Sequence, residues 1–256
     1  MGSLKEWFKE LIFQGGGEEK IITFIGSGGK TTLIWHLASA FSEKSRILVT
    51  PTTKMLIPPK EAGLYQRFYD GLTYKSGTWP DSSPGVTLAG RYNQATGKLE
   101  SLGGYELDYI KGRYDLVLVE GDGSRGLPLK AWGPDEPVVP PFTGITVGVM
   151  ALWPLGMPAS GELIHRLPLF FDLTGSSPGD YINLEHLAAL ITGRAGLPGL
   201  FAKAQGKKIL FFNQVEGIEA LKAARELPGL LPSDFRDGLE WIIAGSVNDD
   251  LIVFSQ

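Results

Sequence analysis

The sequence has no cysteine among its 256 residues. Disulfide bonds, thiolate nucleophiles and cysteine-ligated zinc sites are therefore excluded. Histidine is also scarce, with three residues, and their spacing matches neither a zinc nor a haem ligation pattern.

Long apolar runs and an excess of positive charge are also lacking. The longest apolar run, from Ile145 to Met157, is too short to span a bilayer and contains Pro154. Lys5 and Glu6 interrupt the apolar residues at the N-terminus, unlike in a signal peptide. The net charge is −4, and no basic stripe is visible, which argues against nucleic acid as the main partner. We expect a cytoplasmic protein that binds neither membranes nor nucleic acid.

The composition is that of an ordinary globular chain, with 43% hydrophobic and 20% charged residues. We predict a single α/β domain over residues 1–256, with a mostly parallel sheet and helices on both faces. Within it, an amphipathic helix is expected in residues 1–17, ended by the glycines at 15–17. An irregular, hairpin-containing insertion is expected over residues 56–104.

Residues 20–32 read KIITFIGSGGKTT and predict a phosphate-binding loop. Ile21 to Ile25 has the composition of a buried strand, and apolar residues recur at helical spacing after Thr32. A strand, a glycine turn and a helix follow one another, which is the order that a phosphate-binding loop requires. The sequence departs from the longer G-x-x-x-x-G-K-[ST] pattern at one position, where Phe24 replaces glycine. The residues predicted to bind the phosphates are Gly26, Ser27, Gly28, Gly29, Lys30, Thr31 and Thr32.

The chemistry of this loop follows from its backbone. A helix N-terminus offers unpaired N–H groups and a partial positive charge, and glycines allow the backbone to approach an anion closely. Lys30 would add a charge-assisted contact to a phosphate. The hydroxyl group of Thr31 is placed to bind Mg²⁺.

Acidic and hydroxyl side chains follow two further predicted strands. Thr52 and Thr53 come after the strand that ends at Thr50, and we predict that they position a water molecule. Glu120 and Asp122 follow the apolar run 116–119, and either carboxylate is expected to hold Mg²⁺. The other carboxylate would orient the attacking water, so that Lys30, Asp122, Thr52 and Thr53 form the predicted catalytic set. The spacing from Glu120 to Gly123 is that of a GTPase switch, whose glycine N–H meets the terminal phosphate.

Several residues later in the chain are candidate ligand contacts. Arg125 and Lys130 would bind phosphate, bind a second anionic substrate, or neutralise the acidic residues before them. Asn213 and Glu216 stand after a predicted strand at 208–212, where GTPases carry the base-reading N-K-x-D pattern. They predict a base site, with GTP somewhat ahead of ATP.

The sequence resembles the YqeC family in its loop at 26–32, in 50–54, in the block from Glu120 to Lys130, and in 213–216. The segments 136–140 and His165-Arg166 are also similar to family motifs. Pro51, Gln214 and Glu216 depart from the family's T-T-T-T-K and N-K-x-D patterns.

The resemblance implies an accessory protein that matures a selenium-dependent molybdenum hydroxylase. That hydroxylase or its cofactor-loading protein would be the partner, and any selenium chemistry would act on another molecule. The residues themselves leave three functions open: a Mg²⁺-dependent hydrolase of GTP or ATP, a kinase or Mur-like ligase with a small anionic acceptor, and a non-enzymatic binding module switched by nucleotide.

Overall fold

The computed structural model describes residues 2–14, 20–71, 83–194 and 196–256. Its strands are β1 (Gly2–Ser3), β2 (Ile21–Gly26), β3 (Arg46–Pro51), β4 (Lys54–Leu56), β5 (Arg67–Asp70), β6 (Gly85–Asn93), β7 (Lys98–Glu100), β8 (Leu116–Glu120), β9 (Leu129–Lys130), β10 (Ile145–Ala151), β11 (Ile164–His165), β12 (Lys207–Asn213), β13 (Trp241–Ser246) and β14 (Leu251–Ser255). Its helices are α1 (Leu4–Gln14), α2 (Lys30–Phe41), α3 (Gly104–Lys111), α4 (Leu167–Thr174), α5 (Leu184–Thr192), α6 (Gly217–Glu226) and α7 (Ser233–Asp237).

Most strands of the described residues belong to one large sheet. The sheet has twelve strands, of which eleven follow the order β1-β14-β13-β12-β10-β2-β8-β3-β6-β7-β4 and the twelfth, β5, pairs with β6. The strands from β13 to β6 run parallel, whereas β1, β14, β7 and β4 join antiparallel at the two ends. The sheet is therefore mixed, which corrects the prediction of a mostly parallel sheet. Short turns suffice for antiparallel neighbours, so hairpins such as β6–β7 extend the parallel centre.

Strand β12 illustrates how the centre of the sheet is covered. Phe211 packs with residues of α1 and α2, and its neighbour Phe212 packs with residues of α4, α5 and α6. Successive side chains of a strand point to opposite faces, so apolar residues at both positions require helices on both sides. This layering agrees with the prediction from the sequence.

The register of the parallel strands brings their carboxyl ends to one edge. Phe24 of β2 pairs with Glu120 of β8, and Glu120 pairs with Pro51 of β3. On the other side of β2, Gly26 lies opposite Val149 of β10. The segments that follow β2, β3, β8 and β10 therefore begin side by side.

The two ends of the described chain meet at one end of the strand order, where β1 pairs with β14. Without β1, strand β14 would be the edge of the sheet, and the short pairing of Gly2 and Ser3 with Ile252 and Leu251 covers part of it. Asp250 fixes this contact by accepting hydrogen bonds from the Ser3 hydroxyl (2.7 Å), the Lys5 amide (2.9 Å) and the ring of His36 (2.8 Å). A two-residue strand has too little pattern to be predicted from sequence.

Asp250 makes the stability of the protein depend on pH. Burial alone would raise its pKa, but the hydrogen bonds from Ser3, Lys5 and His36 together lower the pKa from 3.8 to about 2. A folded-state pKa below the unfolded value stabilises the fold at higher pH, and this stability is lost as the pH falls towards 2. We expect Asp250→Asn to lower the free energy of unfolding by roughly 2 kcal/mol at pH 7.

Urea unfolding of the parent and the Asp250→Asn variant between pH 2 and pH 7 measures this effect. The difference between the two proteins should shrink as the pH falls from 4 to 2. The exposed Asp237 provides the matched control, because Asp237→Asn should change stability by less than about 0.5 kcal/mol. A difference that does not vary with pH would contradict the role assigned to Asp250.

Several predictions lie outside the described residues or remain predictions. Two predictions lie outside the described residues: the glycines at 15–17, expected to end the first helix, and residues 72–82 of the expected insertion. The organisation as a single domain remains a prediction. In the described part of the chain, no helix is long and apolar enough to cross a membrane.

Candidate functional site

The glycine loop between β2 and α2 begins with two amides that point into the protein. The N–H of Gly26 donates to both carboxylate oxygens of Asp122, at 3.0 and 3.1 Å. The N–H of Ser27 donates to the carbonyl of Val149 at 2.9 Å. Gly26 and Ser27 were predicted to bind phosphate, but these bonds make them anchors that fix where the loop leaves the sheet.

The next two residues of the loop require glycine. Gly28 and Gly29 have φ angles of 80° and 119°, in the region that side chains disfavour. A Cβ atom on Gly28 would lie 2.4 Å from the Cβ of Ala151, and one on Gly29 would lie 2.3 Å from the Nδ2 of Asn213. The loop therefore passes close to the ends of β10 and β12 and enters α2 with its backbone uncovered.

A cleft of about 1130 Å³ opens at this edge of the sheet, large enough for a ligand the size of a nucleotide. The first turn of α2 contributes to it, and N–H groups in a first turn have no partner within the helix. The residues that line the cleft are Gly28–Thr32, Thr53–Leu56, Lys98, Glu120, Gly123–Pro128, Glu136, Trp153, His165 and Gln214.

Thr31 and Glu120 form a pair of oxygen ligands in the cleft. The hydroxyl of Thr31 donates to Oε1 of Glu120 at 2.7 Å. Burial raises the pKa of the Glu120 carboxyl, while the ammonium group of Lys30 and the hydrogen bond from Thr31 act against this rise. Among the described residues, no three His, Cys, Asp or Glu side chains cluster as a metal site. Mg²⁺ needs only one or two carboxylates, since waters and phosphates complete its shell, so this pair fits that ion.

Lys30 lies under the loop with 3% of its side chain exposed. Its ammonium group bonds to the carbonyl of Gly26 and lies 3.2 Å from Oδ1 of Asp122. Because Lys30 also lines the cleft, a short movement of its flexible side chain would take the charge to a bound anion.

Asp122 is fully buried and does not line the cleft. Besides the amide of Gly26 and the ammonium of Lys30, it accepts a bond from Lys130 at 3.2 Å and one from the Trp132 indole at 2.7 Å. Its oxygens are thus committed to protein donors. Because its carboxylate does not reach the cleft, Asp122 is not placed for the metal-binding and water-positioning roles that the sequence predicted for it.

The charges continue from Asp122 in a row beneath the cleft. Lys130 is fully buried and bonds to the carbonyl of Gly123 and to Glu136, both at 2.7 Å, and Glu136 in turn pairs with Arg166. Burial would raise the pKa of Glu136, but the hydrogen bonds from Arg166 and Lys130 outweigh it and lower that pKa. Lys130, predicted as an anion contact, therefore neutralises acids, which was one of the alternatives left open.

Arg125 and His165 are the basic groups of this region that reach the cleft. Arg125 is exposed and has a φ angle of 56°, a left-handed conformation that costs energy in a residue other than glycine. Burial, followed by the charge of Arg166, lowers the pKa of His165, so its ring is neutral at pH 7. Gly123 also lines the cleft, where its N–H was expected to meet a phosphate.

The two adjacent threonines after β3 differ in what their hydroxyls do. Thr52 donates to the carbonyl of Val138 at 2.6 Å and does not line the cleft. Thr53 lines the cleft, and its buried hydroxyl oxygen has no hydrogen-bond partner among the described residues. Of the two predicted water-positioning residues, Thr53 is the one that the fold leaves available for a ligand or water.

Asn213 braces the loop and does not reach an open site. Its Nδ2 donates to the carbonyl of Gly28 at 2.8 Å, and its Oδ1 accepts from the amide of Val247 at 3.1 Å. Glu216, the other residue predicted to read the base, is exposed and lines a neighbouring pocket. The structure therefore separates the two residues that the sequence had grouped.

The comparisons with known proteins agree with one another. The sequence profile of a family described as YqeC protein matches residues 22–168. A protein of Escherichia coli (strain K12) named "Uncharacterized protein YqeC" is 32% identical over 224 residues, which cover 85% of each chain. The chain belongs to the YqeC family. The YqeC profile spans the loop, Thr53 and the buried charges up to Arg166, and it ends before Asn213.

Sequence reasoning missed three side chains of this YqeC site. Trp132 lies two residues after Lys130, and this spacing of two would have placed both side chains on the same face of an extended segment. Trp153 lies two residues after the end of β10, and Gln214 follows β12 directly, so the rule that ligands bind beyond the carboxyl ends of parallel strands would have found them.

Proposed function

We propose that this member of the YqeC family is a P-loop-like protein that binds a nucleoside triphosphate with Mg²⁺ and hydrolyses it. The contact between Thr31 and Glu120 carries the proposal. It places a hydroxyl and a carboxylate together at the N-terminus of α2, directly after a loop with left-handed glycines, and both line one cleft. Anions are favoured at such a helix end, and Mg²⁺ favours such oxygen ligands.

Each cleft residue has a role in this proposal. The backbone from Gly28 to Thr32 cradles the phosphates, and Lys30 leaves Asp122 to bind the terminal phosphate. Thr31 and Glu120 would hold the Mg²⁺, which supplies charge stabilisation for the phosphates. The free hydroxyl of Thr53 would orient the attacking water, a task that accounts for much of phosphoryl-transfer catalysis.

Asp122 is a positioning residue in this scheme. It holds the amide of Gly26 and, until a ligand enters, the ammonium of Lys30, and it would touch neither ligand nor metal. The maturation of a selenium-dependent molybdenum hydroxylase, in the cytoplasm, is proposed on the family resemblance alone.

A second candidate is phosphoryl transfer to a small anionic acceptor, as in a kinase or a Mur-like ligase. Arg125 and Lys98 support it, because these two cations line the same cleft beyond the loop and would favour an anion there. Turnover that begins only when an acceptor is added would favour this candidate over simple hydrolysis.

Replacing Thr31 tests the proposed magnesium site. Thr31→Val removes the hydroxyl and keeps the shape of the side chain. We expect the gain in nucleotide affinity on adding Mg²⁺ to be about tenfold smaller than in the parent, a difference of about 1.4 kcal/mol. Thr31→Ser keeps the hydroxyl and should behave as the parent. Titration calorimetry of GTP and ATP, with Mg²⁺ and with EDTA, measures the effect, and phosphate release measures turnover.

The proposal would be overturned if the parent binds neither nucleotide. Equal dependence on Mg²⁺ in the parent and in Thr31→Val would remove Thr31 from the metal site. The exposed Thr96 lies on the turn between β6 and β7, and Thr96→Val is the matched control for the substitution itself.

A further inference from the structure

A second pocket of about 490 Å³ adjoins the cleft and shares two lining residues with it, Trp153 and Gln214. The remaining residues that line this pocket are Leu152, Leu155, Glu216, Glu219 and Ala220. It thus combines an apolar wall with carboxylates.

Trp153 stands where the cleft and the second pocket join. It follows Ala151, the residue whose Cβ faces Gly28 of the loop, by two positions. Trp153 is 45% exposed, so part of its side chain is open to a ligand in either cavity. Aromatic side chains that bind nucleobases use such a ring face for stacking.

Gln214 gives a second, independent sign of a ligand. Its Oε1 is buried and has no hydrogen-bond partner in the described part of the chain. Its backbone has a φ angle of 59°, a strained conformation that turns the chain beyond Asn213. A buried acceptor without a partner is costly, and a ligand with an N–H donor would relieve that cost.

The polar groups of the second pocket select the kind of base. Glu216 and Glu219 are exposed at its rim, and ionised carboxylates only accept hydrogen bonds. Guanine presents its N1–H and its exocyclic amine side by side, so one carboxylate accepts both bonds. Adenine presents only its N6 amine on the corresponding edge.

We propose that the second pocket holds the nucleobase of the bound nucleotide, with the base stacked on Trp153 and its N–H groups bonded to the acceptors of Gln214, Glu216 and Glu219. This inference rests on the proposed nucleotide function. It moves base recognition away from Asn213, which the loop already occupies, and it assigns a stacking role to a residue outside the predicted site.

The test compares two ligands, Mg²⁺-GTP and Mg²⁺-tripolyphosphate, which has the phosphate chain but no base. We expect Trp153→Ala to weaken GTP binding about tenfold, or about 1.4 kcal/mol, and to leave tripolyphosphate binding unchanged. Trp153→Phe keeps an aromatic face and should retain most of the affinity for GTP. Tyr109→Ala, which removes an exposed ring on α3, is the control.

The outcomes separate this inference from the proposed function. Unchanged GTP affinity in Trp153→Ala, or an equal loss for tripolyphosphate, overturns the base pocket and leaves the phosphate site standing. If the parent binds neither ligand, the proposed function fails and this inference fails with it. A several-fold fall in the affinity ratio of GTP to ATP in Glu216→Gln or Glu219→Gln supports the pocket, and an unchanged ratio in both variants overturns the assignment of the carboxylates.

Discussion

Replacing Asp122 by asparagine is expected to lower the free energy of unfolding by about 3 kcal/mol, since loss of one member of a buried ion pair leaves the other charge without compensation. Asp122 is fully buried and pairs with Lys30 and Lys130, each at 3.2 Å. Asparagine has the same shape but no charge, and it has one acceptor oxygen where Asp122 has two. The carbonyl of Gly26 and the carboxylate of Glu136 would still satisfy part of the two ammonium groups, which limits the loss.

Urea unfolding monitored by circular dichroism measures this loss, and the melting temperature should fall by roughly 6–12 °C. Asp108→Asn is the matched control, because the carboxylate of Asp108 is exposed and pairs with Lys111 on the surface of α3. Such a surface pair contributes less than about 1 kcal/mol. A loss below about 1 kcal/mol in Asp122→Asn would contradict the burial and pairing described for this carboxylate.

The variant Lys30→Met is expected to bind Mg²⁺-GTP and Mg²⁺-ATP about 100-fold more weakly than the parent, or about 2.7 kcal/mol. A hydrogen bond to a charged group contributes roughly 1.5–3 kcal/mol, and the phosphate would lose this contact. Some stability should also be lost, since Lys30 is one member of the buried pair with Asp122, but Asp122 keeps its bonds from Lys130, Trp132 and the Gly26 amide. Methionine also keeps the volume of the buried stem.

Titration calorimetry of the parent and Lys30→Met with both nucleotides checks this prediction. Lys44→Met serves as the control, because Lys44 is an exposed lysine shortly after the far end of α2. A change in affinity of less than threefold in Lys30→Met would show that Lys30 belongs to the buried charge row alone and does not contact the ligand.

The sequence was informative wherever a local pattern determines the structure. A β-branched run, a glycine turn and helical spacing identify β2, the loop and α2, because each follows from backbone preferences within a few residues. The pairing of Thr31 with Glu120 is likewise expected once both strands are known to end at one edge.

The fate of Asp122 could not be predicted in this way. In the sequence it lies two residues after Glu120, and the two acids look interchangeable as metal ligands. Asp122 differs from Glu120 because three donors surround it in the fold. One is the amide of Gly26, 96 residues earlier, and the others are Lys130 and Trp132, 8 and 10 residues later. Burial and pairing by such distant groups are tertiary effects that no local spacing encodes.

The same limit applies to Asn213. Its position after β12 is that of a ligand contact, but its side chain fills the space that the missing Cβ of Gly29 leaves free. Only the folded packing of β12 against the loop reveals this use. Gly29 and Asn213 are therefore coupled by packing, although they are 184 positions apart in the sequence: a side chain on Gly29 would displace the amide of Asn213.

The row of charges that begins under the loop has a consequence for which ligands the site binds. Along the row the signs alternate: Lys30, Asp122, Lys130, Glu136, Arg166. Three cations face two anions within this row, and Lys30 at the loop is one of its two ends. The buried carboxylate of Glu120 also faces Lys30, whose charge acts to lower the pKa of Glu120. In surroundings of low dielectric constant an unmatched charge attracts an opposite one strongly. If Mg²⁺ binds Glu120 as proposed, that carboxylate is engaged by the metal, and a phosphate that enters the loop would supply the anion that balances Lys30.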